Sequence, residues 1–436
     1  MEKTEKSLYA GVGRQDITPP VGGNLFGYRP DVFSKSVNDP LSATALALAG
    51  PDTKILIISA TVCIVSTKLA DELKKLISGA ADIKEENILI CATHTHSGPN
   101  TCGMTGWGDI DKKYCEDIFI PKIVDSAKTA VSGMKPATAG VNSVCSRAGM
   151  NRRQQNSDGS ISLGQNPWGI YDPNMTVLSF KDSNGAAIAS VVHYGAHCTA
   201  AGMNTEISRD WAGVMTDRLE AETGAPALFL NGSEGDVGPR LSNGCTTGDI
   251  SYIYETGGIA ALDVLTAFRG IKSYSGVCLS AVSGELVLPL SERTPLANAK
   301  EILKKIGGET INISGQKARY YADVIKSYEE GIHEEKNLIL PQTVISVGDV
   351  ALVPFRFEFF SEISLRMRKY SPFTHTLCLG VTNGDGSYLP SQDQICRGGY
   401  EVDVFKTARV FPLADNTDDN IIHENLKLLE LLKNKK

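Results

Sequence analysis

The sequence lacks the features that mark several large classes of protein. Basic residues form no cluster before the last four positions, 433–436, and the formal net charge is -7, so neither nucleic acid nor an anionic membrane is an expected partner. No apolar run reaches the roughly 20 residues that cross a bilayer, since the longest covers residues 55–65. We therefore expect a soluble protein without a transmembrane segment.

Paired cysteines are also missing. Ten cysteines are scattered along the chain without one Cys-x-x-Cys step, which argues against a disulfide scaffold and against a structural zinc site built from thiolates. Cys63, Cys91 and Cys378 lie in apolar segments and are expected to be small buried hydrophobic residues. The first residues contain no apolar core of a signal peptide, and together these features predict a cytoplasmic location.

What the sequence does contain is a series of apolar segments separated by amphipathic ones. Residues 55–60, 66–77 and 87–92 predict a strand, a helix and a second strand that is parallel to the first. Further strands are predicted at 139–144, 175–180, 187–193, 225–231, 343–347, 350–354 and 376–381, and further helices at 114–132, 257–268, 296–306, 316–330 and 418–433. Without a repeat or a linker, this pattern predicts one α/β domain, residues 1–436, with mixed β-sheets flanked by helices.

Polar, glycine-containing segments follow several of these strands. They carry His94 and His96, His197, Glu234 and Asp236, Glu358, and Tyr388. Open α/β sheets bind ligands where their strands end, so these side chains are expected to converge there. Imidazole and carboxylate groups around an open position are typical of catalytic zinc, although no short zinc motif such as His-Glu-x-x-His is present. The pattern favours a metal site at the strand ends.

His94 and His96 are two residues apart. On an extended segment such residues point to opposite faces, so they cannot both face one ion unless the strand has already ended. We therefore expect one of them to be a ligand and the other to have a different task.

The order of motifs along the chain resembles the catalytic domain of the neutral/alkaline, non-lysosomal ceramidases. The resemblance extends from about residue 8 to residue 410, and its most specific parts are the block from Ala92 to Pro99 and the step from Tyr388 to Tyr400. The supporting motifs, in order, are Asp16-Ile-Thr-Pro-Pro20, Asn151-Arg152, Ala196-His197, Gly235-Asp236 and Glu358.

This resemblance implies a zinc-dependent amidase with one zinc ion per chain. It assigns the zinc ligands to four residues: His94, His197, Glu358 and Tyr388. Hydrolysis would proceed by attack of a metal-bound water on the amide carbonyl.

The resemblance also implies the residues that hold and polarise the scissile carbonyl, namely His96, Arg152 and Tyr400. These groups would donate hydrogen bonds to the developing oxyanion. His96 could alternatively protonate the leaving amine. Asp236 is expected to orient a ligand or the attacking water.

Two departures from the family pattern bear on the substrate. Ceramidases carry a serine where this chain has Gly238, and the C-terminal β-sandwich of ceramidases is expected to be missing because the sequence stops after one predicted helix. The segment from Asn151 to Pro173 and the expected lack of the β-sandwich make the chain more similar to the compact bacterial ceramidase-like proteins.

These observations predict a hydrolase that cleaves the C–N bond of a small N-acyl compound. Ceramide itself is disfavoured because no amphipathic stretch with a basic flank is present to contact a membrane. Two alternatives remain open: a zinc esterase or lactonase, and a homologue that binds a ligand without turnover.

Overall fold

The computed structural model describes residues 7–435. The expectations for the first residues and for position 436 therefore lie outside the described residues. The strands are β1 (Leu8–Asp16), β2 (Ser36–Val37), β3 (Ser42–Ala49), β4 (Lys54–Ala60), β5 (Ile88–Ala92), β6 (Lys135–Cys145), β7 (Gly149–Asn151), β8 (Arg153–Gln155), β9 (Ile161–Leu163), β10 (Asn174–Asp182), β11 (Ala187–Tyr194), β12 (Glu206–Ile207), β13 (Ala227–Asn231), β14 (Val237–Pro239), β15 (Leu279–Pro289), β16 (Asn337–Val347), β17 (Val350–Pro354), β18 (Glu358–Phe359), β19 (His375–Leu379) and β20 (Tyr388–Leu389). The helices are α1 (Thr67–Ala81), α2 (Lys112–Tyr114), α3 (Ile120–Ser132), α4 (Asp210–Thr223), α5 (Tyr252–Arg269), α6 (Leu296–Ile306), α7 (Asn312–Glu329), α8 (Ser361–Tyr370), α9 (Gln392–Ile395), α10 (Tyr400–Lys406) and α11 (Thr417–Asn434).

Two mixed sheets form the centre of the molecule. The larger has eight strands in the order β13-β11-β10-β6-β1-β3-β4-β5, and the smaller has four in the order β15-β16-β17-β19. Parallel pairs occur at β4/β5, β11/β13 and β17/β19, and the other neighbours are antiparallel. The predicted class, mixed sheets flanked by helices, is confirmed.

Alternation along the strands explains the layered packing. In β3, Leu46 and Leu48 face the second sheet, whereas Ala45 and Ala47 face α1 and α3 on the other side. Successive side chains of a strand point to opposite faces, so both faces of this sheet are buried. The smaller sheet packs α8 and α11 against its outer face, which gives the order helices, sheet, sheet, helices.

Local pattern predicted most of these elements. The parallel strand–helix–strand unit is confirmed as β4, α1 and β5, and the hairpin as β10 and β11. The helix predicted at 114–132 contains a π-helical turn, Cys115–Phe119, between α2 and α3. Two long strands, β3 and β15, were not predicted. The alanines of β3 have little strand preference of their own, and its pairing with β1 and β4 decides its conformation.

Two structural findings concern the cysteines and the helices. All ten cysteines are free thiols, and Cys63, Cys91 and Cys378 are buried as expected. None of the helices in residues 7–435 combines the length and the apolar character that crossing a bilayer requires.

Candidate metal centre

The two loops that carry histidines are tied together by one buried amide. The side chain of Asn231, at the end of β13, donates to the carbonyl oxygens of Thr93 (3.1 Å) and Ala196 (3.2 Å) and accepts from the Ala196 amide (3.2 Å). Thr95 and Cys198 also form a parallel bridge between the loops. Asn231 thereby joins the ends of β5 and β11, which are far apart in the order of the sheet.

His94 lies beyond the end of β5, and its backbone is left-handed, with a φ of 68°. Strand alternation therefore no longer applies, and the rings of His94 and His96 face each other with their Nε2 atoms 3.3 Å apart. Nδ1 of His94 donates to the carbonyl oxygen of Cys63 at 2.9 Å. This bond leaves the Nε2 lone pair available on the side of His96.

His197 is oriented by the same kind of contact. Its Nδ1 lies 2.8 Å from the carbonyl oxygen of Glu234 and 3.2 Å from that of Val237, both in the glycine-rich turn after β13. Its Nε2 lies 3.2 Å from a carboxylate oxygen of Glu358. The turn thus holds the ring of His197 and leaves one nitrogen free as a ligand.

Glu358 and Tyr388 are neighbours because they are register partners in the short parallel ladder of β18 and β20. The same oxygen of Glu358 that approaches His197 lies 3.3 Å from Nε2 of His94. The hydroxyl of Tyr388 lies 3.4 Å from Nε2 of His197. The four residues that the resemblance assigns to zinc therefore converge.

We refer to His94, His197 and Glu358 as the histidine–glutamate cluster. Their potential ligand atoms lie within 4.8 Å of one another, and all three side chains are buried. Two imidazole nitrogens, a carboxylate and a phenol oxygen are a donor set that suits zinc, so the residues fit the ion that the sequence predicts. Cys63 Sγ lies 3.7 Å from Nδ1 of His94, on the other side of that ring, and therefore does not share this position.

Burial and charge act against each other on the pKa values of the cluster. Burial alone would raise the pKa of Glu358, but His94 and His197 outweigh it and hold that pKa well below 4.5. Burial alone would lower the pKa of His94, but Cys63 and Glu358 outweigh it and raise the pKa well above 6.5. Burial, together with the charge of Arg152, lowers the pKa of His197 to about 3. His197 is thus neutral at pH 7, the form in which imidazole binds metals.

A second group of charged residues borders the cluster. Nε of Arg152 donates to one oxygen of Glu401 at 2.9 Å, and Nη1 of Arg153 donates to the other at 2.7 Å. Nη2 of Arg152 donates to the hydroxyl of Tyr388 at 2.8 Å. Arg152, Arg153 and Glu401, which we call the arginine network, are all buried, and they carry one positive charge more than the single carboxylate neutralises. That excess charge favours an anion beside Tyr388.

His96 lies against the histidine–glutamate cluster in a pocket that requires glycine. A Cβ atom at Gly27, whose φ is 128°, would lie 2.4 Å from Nδ1 of His96. Burial lowers the pKa of His96 well below 6.5, with a further contribution from the positive charge of His94. Nδ1 of His96 is buried and has no hydrogen-bond partner among residues 7–435. The ring is therefore neutral and has an unused nitrogen.

The remaining predicted residues, Tyr400 and Asp236, make different kinds of contact. The ring centroid of Tyr400 lies 5.8 Å from that of Tyr388, so Tyr400 borders the site. The carboxylate of Asp236 instead accepts from the amide (2.8 Å) and the hydroxyl (2.7 Å) of Ser361 at the start of α8. Its backbone oxygen accepts from the Arg152 amide at 2.8 Å. Asp236 thus supports the segments that carry Glu358 and Arg152, and its predicted role in orienting a ligand or the attacking water stays a prediction.

Sequence reasoning missed two residues of this site. Asn231 follows an apolar strand and precedes a glycine, a position where asparagine normally indicates only a turn. Glu401 lies next to Tyr400, and charge patterning gave no sign that it would be buried between two arginines that lie about 250 positions away. The only available signal was the Arg152-Arg153 pair, which needs a carboxylate when buried.

At Gly238, where the family pattern has a serine, a different residue fills the space that the serine side chain would occupy. A Cβ atom at Gly238 would lie 3.0 Å from Cβ and 3.1 Å from Cγ2 of Thr246, and 3.6 Å from Cβ of Arg152. The side chain of Thr246 therefore occupies the space beside Arg152 that a serine at position 238 would use.

Comparisons with known proteins show the family of this chain. A family model described as neutral/alkaline non-lysosomal ceramidase, N-terminal, matches residues 8–255. Neutral ceramidase B of Dictyostelium discoideum is 26% identical over 265 residues, which cover 54% of this chain and 36% of that protein. Neutral ceramidase of Pseudomonas aeruginosa is 27% identical over 194 residues, covering 41% of this chain and 28% of that protein. These matches span about a third of the length of the relatives.

The fold has a counterpart among solved structures. The crystal structure of neutral ceramidase from Pseudomonas aeruginosa matches with a TM-score of 0.75 and 18% identity, over 98% of this chain and 75% of that one. The match includes the region beyond residue 255, which contains Glu358, Tyr388, Tyr400 and Glu401. It shows a shared fold across both sheets.

Proposed function

This chain belongs to the neutral/alkaline non-lysosomal ceramidase family, and from that premise we propose that it is a zinc-dependent hydrolase of the amide bond of an N-acyl compound. The observation that carries the proposal is the convergence of the histidine–glutamate cluster and Tyr388 beside Arg152. Metal ligands and a fixed cation within one buried site are a combination that can hydrolyse an unactivated amide.

His94, His197, Glu358 and Tyr388 would hold the zinc ion. When bound, zinc polarises the substrate carbonyl and lowers the pKa of a coordinated water to about 7. The chain's own part is to present both histidines through Nε2, which the carbonyl oxygens of Cys63 and Glu234 enforce.

Three residues would handle the reacting amide. Arg152 keeps its charge because Tyr388 and Glu401 outweigh the effect of burial and raise its pKa, so it can donate to an oxyanion throughout the reaction. His96 is neutral and has an unused ring nitrogen for the carbonyl or the leaving amine. Tyr400 keeps its proton because burial raises its pKa, so its hydroxyl can donate as well.

The substrate we propose is smaller and more soluble than ceramide. Relatives in the family are named as neutral ceramidases, which supports an N-acyl compound as the class of substrate. Thr246, however, fills the space beside Arg152 that a side chain at position 238, the place of the family serine, would use. Any role of that serine hydroxyl is therefore absent in this chain, which supports a substrate other than ceramide.

The test combines metal analysis with matched substrates. We expect the purified protein to bind one zinc ion per chain and to hydrolyse short N-acyl amides. His94→Ala should lose zinc and about a thousandfold in kcat/KM, whereas the control His423→Ala, exposed on α11, should leave both unchanged. Full activity in His94→Ala would overturn the proposal. Cleavage of the matched esters without cleavage of the amides would replace it by an esterase or lactonase, and binding without product by a silent homologue.

A further inference from the structure

One face of the molecule displays a tryptophan that the metal centre does not use. Trp168 is 92% exposed, whereas the other two tryptophans, Trp107 and Trp211, are 5% and 0% exposed. It lies in the segment between β9 and β10. A single exposed apolar residue is ordinary, so its significance depends on how it is held and on what lies beside it.

The turn that carries Trp168 is firmly anchored. The Asn166 amide donates to the Asn151 carbonyl at 2.9 Å, and the Asn166 side chain donates to the Arg153 carbonyl at 2.9 Å. The Trp168 amide donates to Oδ1 of Asn166 at 3.1 Å. Both anchors, Asn151 and Arg153, are buried. The backbone that carries this ring is therefore held in place before a ligand binds.

Trp168 forms part of the wall of a cavity of about 660 Å³, within the range of small-molecule sites. The wall also includes the hairpin β8–β9 and helix α9, and carboxamide side chains predominate in it: Gln154, Gln155, Gln165, Asn166 and Gln394. A carboxamide both donates and accepts hydrogen bonds in one plane and carries no charge. The cavity therefore combines an aromatic face with neutral groups that bond in both directions.

The charged groups deep in this wall are already satisfied. Arg153 donates to Glu401 and to the Gly398 carbonyl, both at 2.7 Å, and Asp236 accepts from Ser361. In contrast, the side chain of Gln155 and Oε1 of Gln165 make no hydrogen bond within residues 7–435 and remain available. At the rim, Asp393 and Arg397 carry opposite charges, and Glu362 adds one further carboxylate to the wall. This carboxylate disfavours an anionic ligand, and the free carboxamides suit the hydroxyl groups of a neutral polar one.

We infer that this cavity binds a neutral polyhydroxylated molecule, a mono- or disaccharide in chemical class. A sugar ring has a face of C–H groups that packs on an aromatic ring, and its hydroxyls both donate and accept, as the carboxamides do. The inference does not rest on the proposed amide hydrolysis, because the ligand would contact neither the histidine–glutamate cluster nor Tyr388. Two residues of the wall, Arg153 and Asp236, also support the metal centre.

The test uses the full chain and a defined set of probes: maltose, cellobiose and N-acetylglucosamine as neutral sugars, and glucuronate and glucosamine as charged counterparts. Binding is measured by calorimetry and by saturation-transfer NMR. We expect at least one neutral sugar to bind saturably with a Kd of about 1 to 10 mM and to protect Trp168 fluorescence from acrylamide. The charged counterparts should bind more weakly.

Variants distinguish binding of a sugar at this site from nonspecific binding elsewhere on the protein. Trp168→Ala should weaken binding about tenfold or more, and Gln155→Ala by a few fold, with circular dichroism unchanged because both residues are exposed. The control Leu262→Ala, 70% exposed on α5, should bind as the unmodified chain does. No saturable binding by any neutral sugar up to about 50 mM, unchanged affinity in Trp168→Ala, or tighter binding of a charged counterpart would overturn the inference.

Discussion

The histidine–glutamate cluster and the arginine network lie side by side but differ in how their polar atoms are paired. In the cluster, two imidazole nitrogens approach one carboxylate oxygen at 3.2 and 3.3 Å, so three atoms with lone pairs surround one position. In the network, each contact joins a donor to an acceptor, and the three that connect Arg152 and Arg153 to Glu401 and Tyr388 measure 2.7 to 2.9 Å. The cluster needs a cation or a proton to be complete, whereas the network already has its hydrogen bonds in place and keeps one excess positive charge.

The difference indicates that the two groups have different functions within one site. A group of converging acceptors is suited to exchange a proton for a metal ion. A satisfied network of buried charges is suited to keep a guanidinium in one orientation, because moving it would break several charge-assisted hydrogen bonds. Tyr388 touches both groups and connects the two functions.

The largest expected effect comes from removing the charge at the centre of the cluster. Glu358→Gln should lose bound zinc and lower kcat/KM about a thousandfold, because the two histidines then share no anionic partner. Glu362→Gln, four positions away on α8, is the matched control and should keep both zinc and activity. Retention of one zinc per chain in Glu358→Gln, measured by plasma mass spectrometry, would break the distinction between the two regions.

The support beneath both regions should depend on pH. Burial raises the pKa of Asp236 to about 7, although hydrogen bonds from Ser361 act in the opposite direction. The same group in the unfolded chain titrates near 3.8, so between about pH 4 and 7 the folded state binds more protons than the unfolded state. The contribution of Asp236 to stability therefore falls as pH rises through this window, by at most about 4 kcal/mol.

Asp236→Asn removes this titration and tests its sign. Relative to the unmodified chain, the variant should gain in free energy of unfolding as pH rises from about 4 to 7, measured by urea denaturation at each pH. A difference in stability that stays constant with pH, or that changes in the opposite direction, would contradict the expectation.

Glu401→Gln separates the arginine network from the cluster. The amide still accepts one hydrogen bond but leaves the charges of Arg152 and Arg153 unbalanced. We expect kcat/KM to fall about 10- to 100-fold while zinc content stays at one per chain. Glu401→Asp, which keeps the charge, should recover part of the activity. Loss of zinc in Glu401→Gln would show that the two regions act as one unit.

The smallest effect is expected where Thr246 replaces the family serine. In Gly238→Ser the new Cβ atom meets Thr246 at 3.0 Å, which should cost about 1 kcal/mol of stability in thermal unfolding. Adding Thr246→Gly, which removes the Cβ atom as well as Cγ2, should restore that loss, a coupling that a double-mutant cycle measures. Because this position touches Arg152 and not the cluster, zinc content should not change. Additive effects of the two substitutions would exclude the steric explanation.

Local sequence patterns predicted the elements that depend on near neighbours. The apolar strands β4 and β5 and the amphipathic helix α1 are clear in sequence because periodicity decides which face is buried. Strand β15 was missed because it mixes Ser280, Ser283 and Gly284 with apolar residues, and its pairing with β16 over its whole length determines it. The alternation argument for His94 and His96 could not foresee the left-handed turn that brings their rings together.

The sequence by itself determined the family, the α/β class and the order in which His94, His197, Glu358 and Tyr388 follow strands. These features depend on motif order and hydrophobic periodicity, which are local properties of the chain. Only the tertiary structure decided which ring nitrogen each histidine presents, that Glu401 balances two arginines, and that Thr246 takes the space beside Gly238. Most of these contacts join residues far apart along the chain, and their geometry is fixed by packing between elements.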